Sequence, residues 1–362
     1  MAFLTNDMIA REALAVLTNS LVTTGLVYRD YENEWNSGYA LGQTVGIRRP
    51  ATFEAKEFDQ QAGIEVQTAT EGRINLTLEK HFDVSFEVTT KDRTLSITDF
   101  SNQLIVPAMN ALGDAVNGYI LSKYAEVPYF YDAGTSNPAF PDTVAKIVQI
   151  GAALDTNRVP LAGRNGVVSP SAKATLLGLE AFWRADARGD NGTALREASL
   201  GRVLGLDWWM DQQVKRHTAG TFSEGTPAVN GAVLAGATTM NIDGGVGTET
   251  LKKGDLFTVA DVAGQYVVTA DATATGGAIT GVTFYPPAPV GGFPNDKAIT
   301  VKKSHKANLA FVRNAFAFAA VPLALPSGNA PGQYVSYNGV GIRMVSAYDV
   351  KYKKDTMSFD IL

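Results

Sequence analysis

Between Arg73 and Thr89 the chain alternates so regularly that its local geometry is dictated. Ile74, Leu76, Leu78, Phe82, Val84, Phe86 and Val88 hold even positions, and Arg73, Asn75, Thr77, Glu79, His81, Asp83, Ser85, Glu87 and Thr89 hold odd ones. Side chains of an extended chain point to two faces in turn, so one face is apolar and the other is wet. The run is longer than the usual strand of about five or six residues. Either it bends around Lys80-His81, or it projects from the body as a long hairpin. A projecting hairpin has too little local core to be stable alone, so a neighbour has to cover it. The polar residues 53–72 read as the tip of an extended loop, and Gly42–Arg49, closed by Pro50, as a short strand before it.

Two helices flank this region. Over residues 5–24, Thr5, Asn6 and Asp7 are candidate N-caps, and Ile9, Ala13, Leu14, Leu17 and Leu21 form one apolar stripe, with Gly25 as a stop. Such a helix either packs on its own core or acts as an arm docked on a neighbour. Residues 96–126 read as the longest helix, opened by a Ser96/Asp99 capping pair. Its stripe runs through Ile97, Phe100, Leu104, Ala108, Leu112, Ala115, Tyr119 and Lys123. Pro107 either kinks it or starts its second half.

Residues 129–219 read as a mixed α/β unit. Helices are expected over Thr143–Leu154 and Ser171–Leu179, with a buried strand at Gly166-Val167-Val168. A polar loop at Ala181–Thr193 surrounds Trp183, and Gly201–Asp207 and Trp208–Val214 are strand-like. Composition shifts at residue 220. To about Lys303 the chain is rich in Gly, Thr, Ala and Val, with short strands at Thr239–Ile242, Leu256–Val259, Tyr266–Thr269, Gly281–Tyr285 and Ala298–Val301. That is the pattern of a small all-β barrel or sandwich inserted into an α/β parent. Alternating runs return at Asn308–Phe318 and Gly341–Lys353.

Chemistry is scarce. The 362 residues include no cysteine, so disulfides, thiolate metal sites and cysteine nucleophiles are excluded. A net charge of −5 argues against general nucleic-acid binding over the whole surface, though not against a local basic patch. His81, His217 and His305 lie in no metal-binding spacing, and His81 falls on the wet face of its strand. Gly244-Gly245-Val246-Gly247 precedes a strand and reads as a turn, not a phosphate cradle. Trp208 and Trp209 adjoin in a strand, so their rings point to opposite faces and build no flat sugar platform. No catalytic, cofactor or metal residue is assigned, and no enzyme is expected. The N-terminus is not a signal peptide, and no stretch approaches eighteen uncharged apolar residues, so no membrane partner is expected.

An ordered series of segments resembles one family. Met8–Leu14 resembles its N-terminal arm. Arg29-Asp30-Tyr31, followed by Gly46–Pro50, resembles the start of its extended loop. Asp99–Asn102, continuing to Pro107-Ala108-Met109, resembles the start of its spine helix. Gly201–Asp207 and Leu251–Asp255 resemble segments around its inserted domain, and Asn308–Phe311 and Ser346–Asp349 its return path. The chain is similar, over nearly its whole length, to the coat-protein family of short-tailed phages typified by the short-tailed Salmonella phage. The resemblance implies an α+β chain with the Hong Kong 97-type capsid fold and an inserted small β-barrel. Its parts would be an N-terminal arm (1–35), an extended loop (36–93), a spine helix (94–128), an axial domain (129–219), an inserted β domain (220–305) and return strands (306–362). Phe359–Leu362 reads like mid-strand whereas the family runs further, so a C-terminal segment that is either shorter or absent from this sequence is expected.

The resemblance further implies a major capsid protein that assembles with itself into hexamers and pentamers in the host cytoplasm. Scaffolding protein, portal protein and packaged double-stranded DNA, bound without sequence specificity, would be its partners. Candidate intersubunit contacts are Arg29, Asp30, Arg48, Arg49, Phe82 and Trp183. An encapsulin-like shell protein and a β-rich carbohydrate-binding or adhesion protein are the alternatives.

Overall fold

The computed structural model describes residues 6–29, 44–49, 72–89, 100–131, 140–184, 193–321, 323–326, 332–337, 339–350 and 354–362, with the separate positions 53, 55, 66–68 and 352. The chain forms two units. One comprises Met1–Ser20, Tyr28–Gly113 and Ala317–Leu362; the other comprises Leu21–Val27 and Asp114–Phe316.

In the first unit the alternating run divides where Lys80-His81 breaks the pattern. Its first half is β2 (Gly72–Thr77), paired antiparallel with β1 (Thr44–Arg49) in a two-stranded ladder. Its second half is β3 (Phe82–Thr89), an edge of a four-stranded sheet. The remaining strands of that sheet are β18 (Gly332–Tyr337), β19 (Val340–Asp349) and β20 (Lys354–Ile361), in the order β18-β19-β20-β3. The run thus divides between two sheets, its first half in a ladder that has two strands among the described residues. On β3 the even residues turn inward as expected, and the Phe86 ring stacks on Phe359 of β20 at 5.8 Å. The loop tip at 53–72 lies mostly outside the described residues.

The N-terminal helix runs Asn6–Ser20 and buries Ile9, Ala10, Ala13, Leu14 and Leu17. It takes the first of its two alternatives, packing on its own unit: Asn6 donates to Ser346 Oγ (3.0 Å), and Ser101 donates to Glu12 (2.9 Å). It ends before Gly25, which falls inside a separate short turn, Thr23–Leu26.

The long helix begins, within the described residues, as a π-helical turn at Ser101–Ile105, continues as α-helix over Val106–Ser122, and ends in a 3₁₀ turn at Lys123–Glu126. Pro107 lacks the N–H that would bond one turn back, and the wider π turn directly before it absorbs that defect. Of the expected stripe Phe100, Ala108 and Leu112 are buried, whereas Leu104, Ala115 and Tyr119 are only half-buried. Ile105, Met109, Val116 and Ile120 are buried beside them, so the apolar face is broader than the expected line of residues. By length and mean hydropathy Ser101–Glu126 is apolar enough to cross a bilayer, although Asp114 interrupts it, so it is not an uncharged apolar run. More than half of that window is buried inside the protein, and a core helix meets the same criterion.

In the second unit, β4 (Arg164–Val168), β5 (Gly201–Val203), β6 (Leu206–Met210) and β17 (Leu309–Val312) form a sheet in the order β17-β4-β6-β5, with β4 and β6 parallel. The helices Val144–Thr156 and Pro170–Leu177 are capped by the Thr143 and Ser169 hydroxyls. Trp208 is buried and donates to the Val203 carbonyl (3.0 Å), while Trp209 is 44% exposed, so the two rings do face opposite ways. Gly166 lies opposite Trp208, and a Cβ there would sit 2.7 Å from the indole. The expected polar loop at Ala181–Thr193 instead begins and ends helically, at Glu180–Trp183 and Thr193–Glu197. Phe182 is the physical reason at the first end. It is fully buried, edge-on to Trp208 at 6.0 Å, and tertiary packing overrides the polar composition. The strand expected at Gly201–Asp207 is broken by a two-residue turn at Leu204-Gly205.

The glycine- and threonine-rich stretch forms a six-stranded antiparallel sheet. Its strands are β8 (Ala228–Val229), β9 (Thr239–Asp243), β11 (Leu256–Val259), β12 (Tyr266–Val268), β14 (Ile279–Tyr285) and β15 (Ile299–Val301), in the order β15-β11-β12-β14-β9-β8. The two edges meet: Ile299 N–H donates to Pro227 O (2.8 Å) and Val229 N–H to Lys297 O (2.9 Å). The result is a near-closed barrel. Phe257, Tyr266, Phe284 and Phe293 nest inside it, with ring centroids 5.1–6.0 Å apart. Three small ladders complete the strands: β10 (Thr250–Leu251) with β13 (Ala272–Thr273), and β7 (Arg216–His217) with β16 (His305–Lys306), beside the β1–β2 pair.

Candidate functional site

The densest polar constellation ties the barrel to the end of the long helix. His217 and Asp255 are both buried, and His217 Nε2 lies 2.7 Å from Asp255 Oδ1. The other ring nitrogen, Nδ1, lies 2.9 Å from the Tyr124 hydroxyl. Burial, and then the charge of Asp255, raise the Tyr124 pKa above its ordinary 10.0, so the phenol keeps its proton beside Nδ1. Asp255 also accepts from the Lys252 (2.7 Å) and Gly220 (3.1 Å) amides, so its charge is answered on all sides. Gln265 and Phe130 exchange side-chain and backbone hydrogen bonds of 2.9 and 2.7 Å. Gly254, at φ +93°, passes so close to the helix that a Cβ would lie 2.9 Å from that of Ala125. Through this Tyr–His–Asp chain and the Gln265–Phe130 pair the barrel is fastened to the end of the long helix.

Other chemistry-like groups resolve in the same way. The Val246 and Gly247 amides do cradle a carboxylate, but it is the chain's own Glu249, at 2.6–3.1 Å. Those amide hydrogen bonds lower the Glu249 pKa below its ordinary 4.5. The Lys306 ammonium donates to Ser171 Oγ at 2.8 Å, and Ser169 Oγ lies 3.2 Å from that hydroxyl. A Ser–Lys nucleophile requires a desolvated amine, and Lys306 is exposed. Among the described residues no group of three His, Asp or Glu side chains is placed to hold a metal ion.

His81 is exposed, as its place on the wet face predicts, and it also has a partner. Its Nε2 lies 3.2 Å from the buried carboxylate of Asp360, which also takes both ends of the Arg343 guanidinium fork. Arg343 and Asp360 face each other across β19 and β20, and His81 immediately precedes β3. Nothing near His81 in sequence signals this, because its partner lies at the far end of the chain.

The candidate contact residues are scattered. Arg29 is half-buried, next to the Gly339 turn. Register sets Arg48 opposite Arg73 and Arg49 opposite Gly72 in the β1–β2 ladder. Phe82 is half-buried opposite Ile361. Trp183 is 36% exposed, on the helical turn beside Phe182. Asp30 lies outside the described residues. Missed by sequence reading was an open groove of about 540 Å³ between the N-terminal helix and β18, lined by Arg11, Leu14, Ala15, Thr18, Val335 and Tyr337.

No protein-family model and no curated protein matches the chain. Among solved structures it is similar to one from Mycobacterium phage Che8, with 15% identity over 81% of this chain and 91% of that one and a TM-score of 0.41. It is also similar to the capsid of cyanophage P-SCSP1u, with 12% identity, 76% and 85% coverage and a TM-score of 0.35. A virus-like particle from Pyrococcus furiosus gives 10% identity, 84% and 98% coverage and a TM-score of 0.34. The chain is an α+β protein with a near-closed six-stranded barrel, similar in structure to solved phage capsids and to a virus-like particle.

Proposed function

We propose that the chain is the major capsid protein of a tailed double-stranded DNA phage, and that its function is self-assembly into hexamers and pentamers of an icosahedral shell. In this reading scaffolding protein guides a precursor shell, a portal ring occupies one vertex, and the finished shell encloses the genome. Its carrying observation is the β1–β2 ladder. Register brings Val45 opposite Leu76 and Ile47 opposite Ile74, so four apolar positions share one face. Among the described residues no third strand joins them. Two strands with an apolar face are marginal in water, and a second copy of the chain is the simplest cover. The ordered sequence resemblance supports the same reading. Many weak contacts per subunit then add through effective concentration, and misplaced subunits can leave before closure.

Negative-stain microscopy of the purified protein tests this, with scaffold supplied where needed. Shells, tubes or sheets are the expected outcome. A compact monomer under every condition overturns the reading, and shells filled with enzyme cargo in place of DNA redirect it to a cellular compartment.

A further inference from the structure

The short β7–β16 ladder sets two positive charges against each other. Register places Lys306 directly opposite Arg216, and both side chains are exposed. Like charges at one rung destabilise a strand pair, so the arrangement costs stability unless an anion answers it. The chain has an excess of acidic residues, yet none is used here. Among the described residues neither Arg216 nor Lys306 has a carboxylate partner; Lys306 donates only to the Ser171 hydroxyl at 2.8 Å. The neighbouring cations are occupied: Lys303 pairs with Glu224 at 2.7 Å, and Lys302 lies over the Phe130 ring. On the opposite face of the ladder, His217 is committed to Asp255 and Tyr124. The rung therefore presents a guanidinium and an ammonium to solvent beside the Ser171 hydroxyl of the helix Pro170–Leu177, with no carboxylate partner among the described residues.

We propose that Arg216, Lys306 and Ser171 form a contact site for the phosphodiester groups of nucleic acid. A guanidinium fork beside an ammonium matches phosphate oxygens. The exposure of the rung favours a polyanion that runs across it and gains from many contacts, over a small anion that needs enclosure. Only backbone is read, so binding is independent of base sequence. The inference rests on the shell reading, in which this chain meets a packaged genome.

The test is fluorescence anisotropy of the full-length protein with a labelled duplex, over a salt series. The double variant Arg216→Gln/Lys306→Gln removes two cations without adding a charge. Each lost phosphate contact lowers the slope of log K against log salt by about 0.9, so the slope should fall by roughly 2. Lys146→Gln, whose lysine is already paired with Asp142 at 2.7 Å, should leave the slope unchanged. The exchange Arg216→Lys/Lys306→Arg should retain it, which separates charge from loss of fold. An unaltered slope in the double variant overturns the proposal, and so does inorganic phosphate at about millimolar concentration displacing the duplex at constant ionic strength. Microscopy of the same samples keeps the two readings apart: shells with an unaltered slope sink the phosphate site alone, whereas no shells from the wild type sinks the capsid reading.

Discussion

The barrel and the β1–β2 ladder are both antiparallel β-structure, and they differ in what finishes them. In the barrel, β8 meets β15, so almost no backbone edge is left open, and four aromatic rings fill the interior. The ladder has two strands, one apolar face by register and, among the described residues, no further strand. Edge closure and an internal core make a β-element independent of its surroundings; lacking both, it depends on something else for cover. The same chain thus contains one β-element with its edges joined and, among the described residues, one with its edges open.

The largest expected effect comes from the ladder. Deleting residues 55–71, which link β1 to β2, should leave soluble protein and abolish shells by electron microscopy; normal shells would erase the contrast. The barrel should show the opposite behaviour. Residues 220–305 expressed alone should give a dispersed amide NMR spectrum, and a collapsed one would mean that the fastening through Tyr124 and Phe130 is indispensable. Within the barrel, Phe284→Ala should cost about 3–5 kcal/mol in denaturant unfolding, as expected for a fully buried phenyl ring. Smaller still, Gly254→Ala introduces both a strained positive φ and a clash with Ala125, and should cost roughly 1–3 kcal/mol in the same assay.

The smallest expected effect is a pH dependence at the barrel surface. Glu249 is held below its ordinary 4.5 by the Val246 and Gly247 amides, so the folded state binds its proton less readily than the unfolded chain. Its contribution is present above 4.5 and is lost as pH falls through the lowered folded value. Asp261, held low by Lys297, and Asp271, held low by the Lys253 amide and then by Lys252, follow the same sign from their ordinary 3.8. Hydrogen exchange at the Val246 and Gly247 amides should show weakened protection in that acidic window, beyond the intrinsic pH dependence. In Glu249→Gln this additional change should vanish.

Sequence alone determined the features set by near neighbours. Alternation and glycine or proline turns located the strands at 239–242, 256–259, 266–269, 281–285 and 298–301, each to within about two residues of the observed boundaries. The opposed faces of Trp208 and Trp209 and the inward residues of β3 follow from a period of two. Tertiary structure decided the rest. In the long helix, packing buried Ile105, Met109, Val116 and Ile120 beside the expected Ala108 and Leu112 and left Leu104, Ala115 and Tyr119 half-buried. His81, exposed as expected, also found Asp360; Tyr124 found His217 across 93 positions, and His217 found Asp255 across 38. No local pattern encodes such pairs, since each side chain is an ordinary polar residue until the backbone brings its partner within hydrogen-bonding distance and removes the water between them.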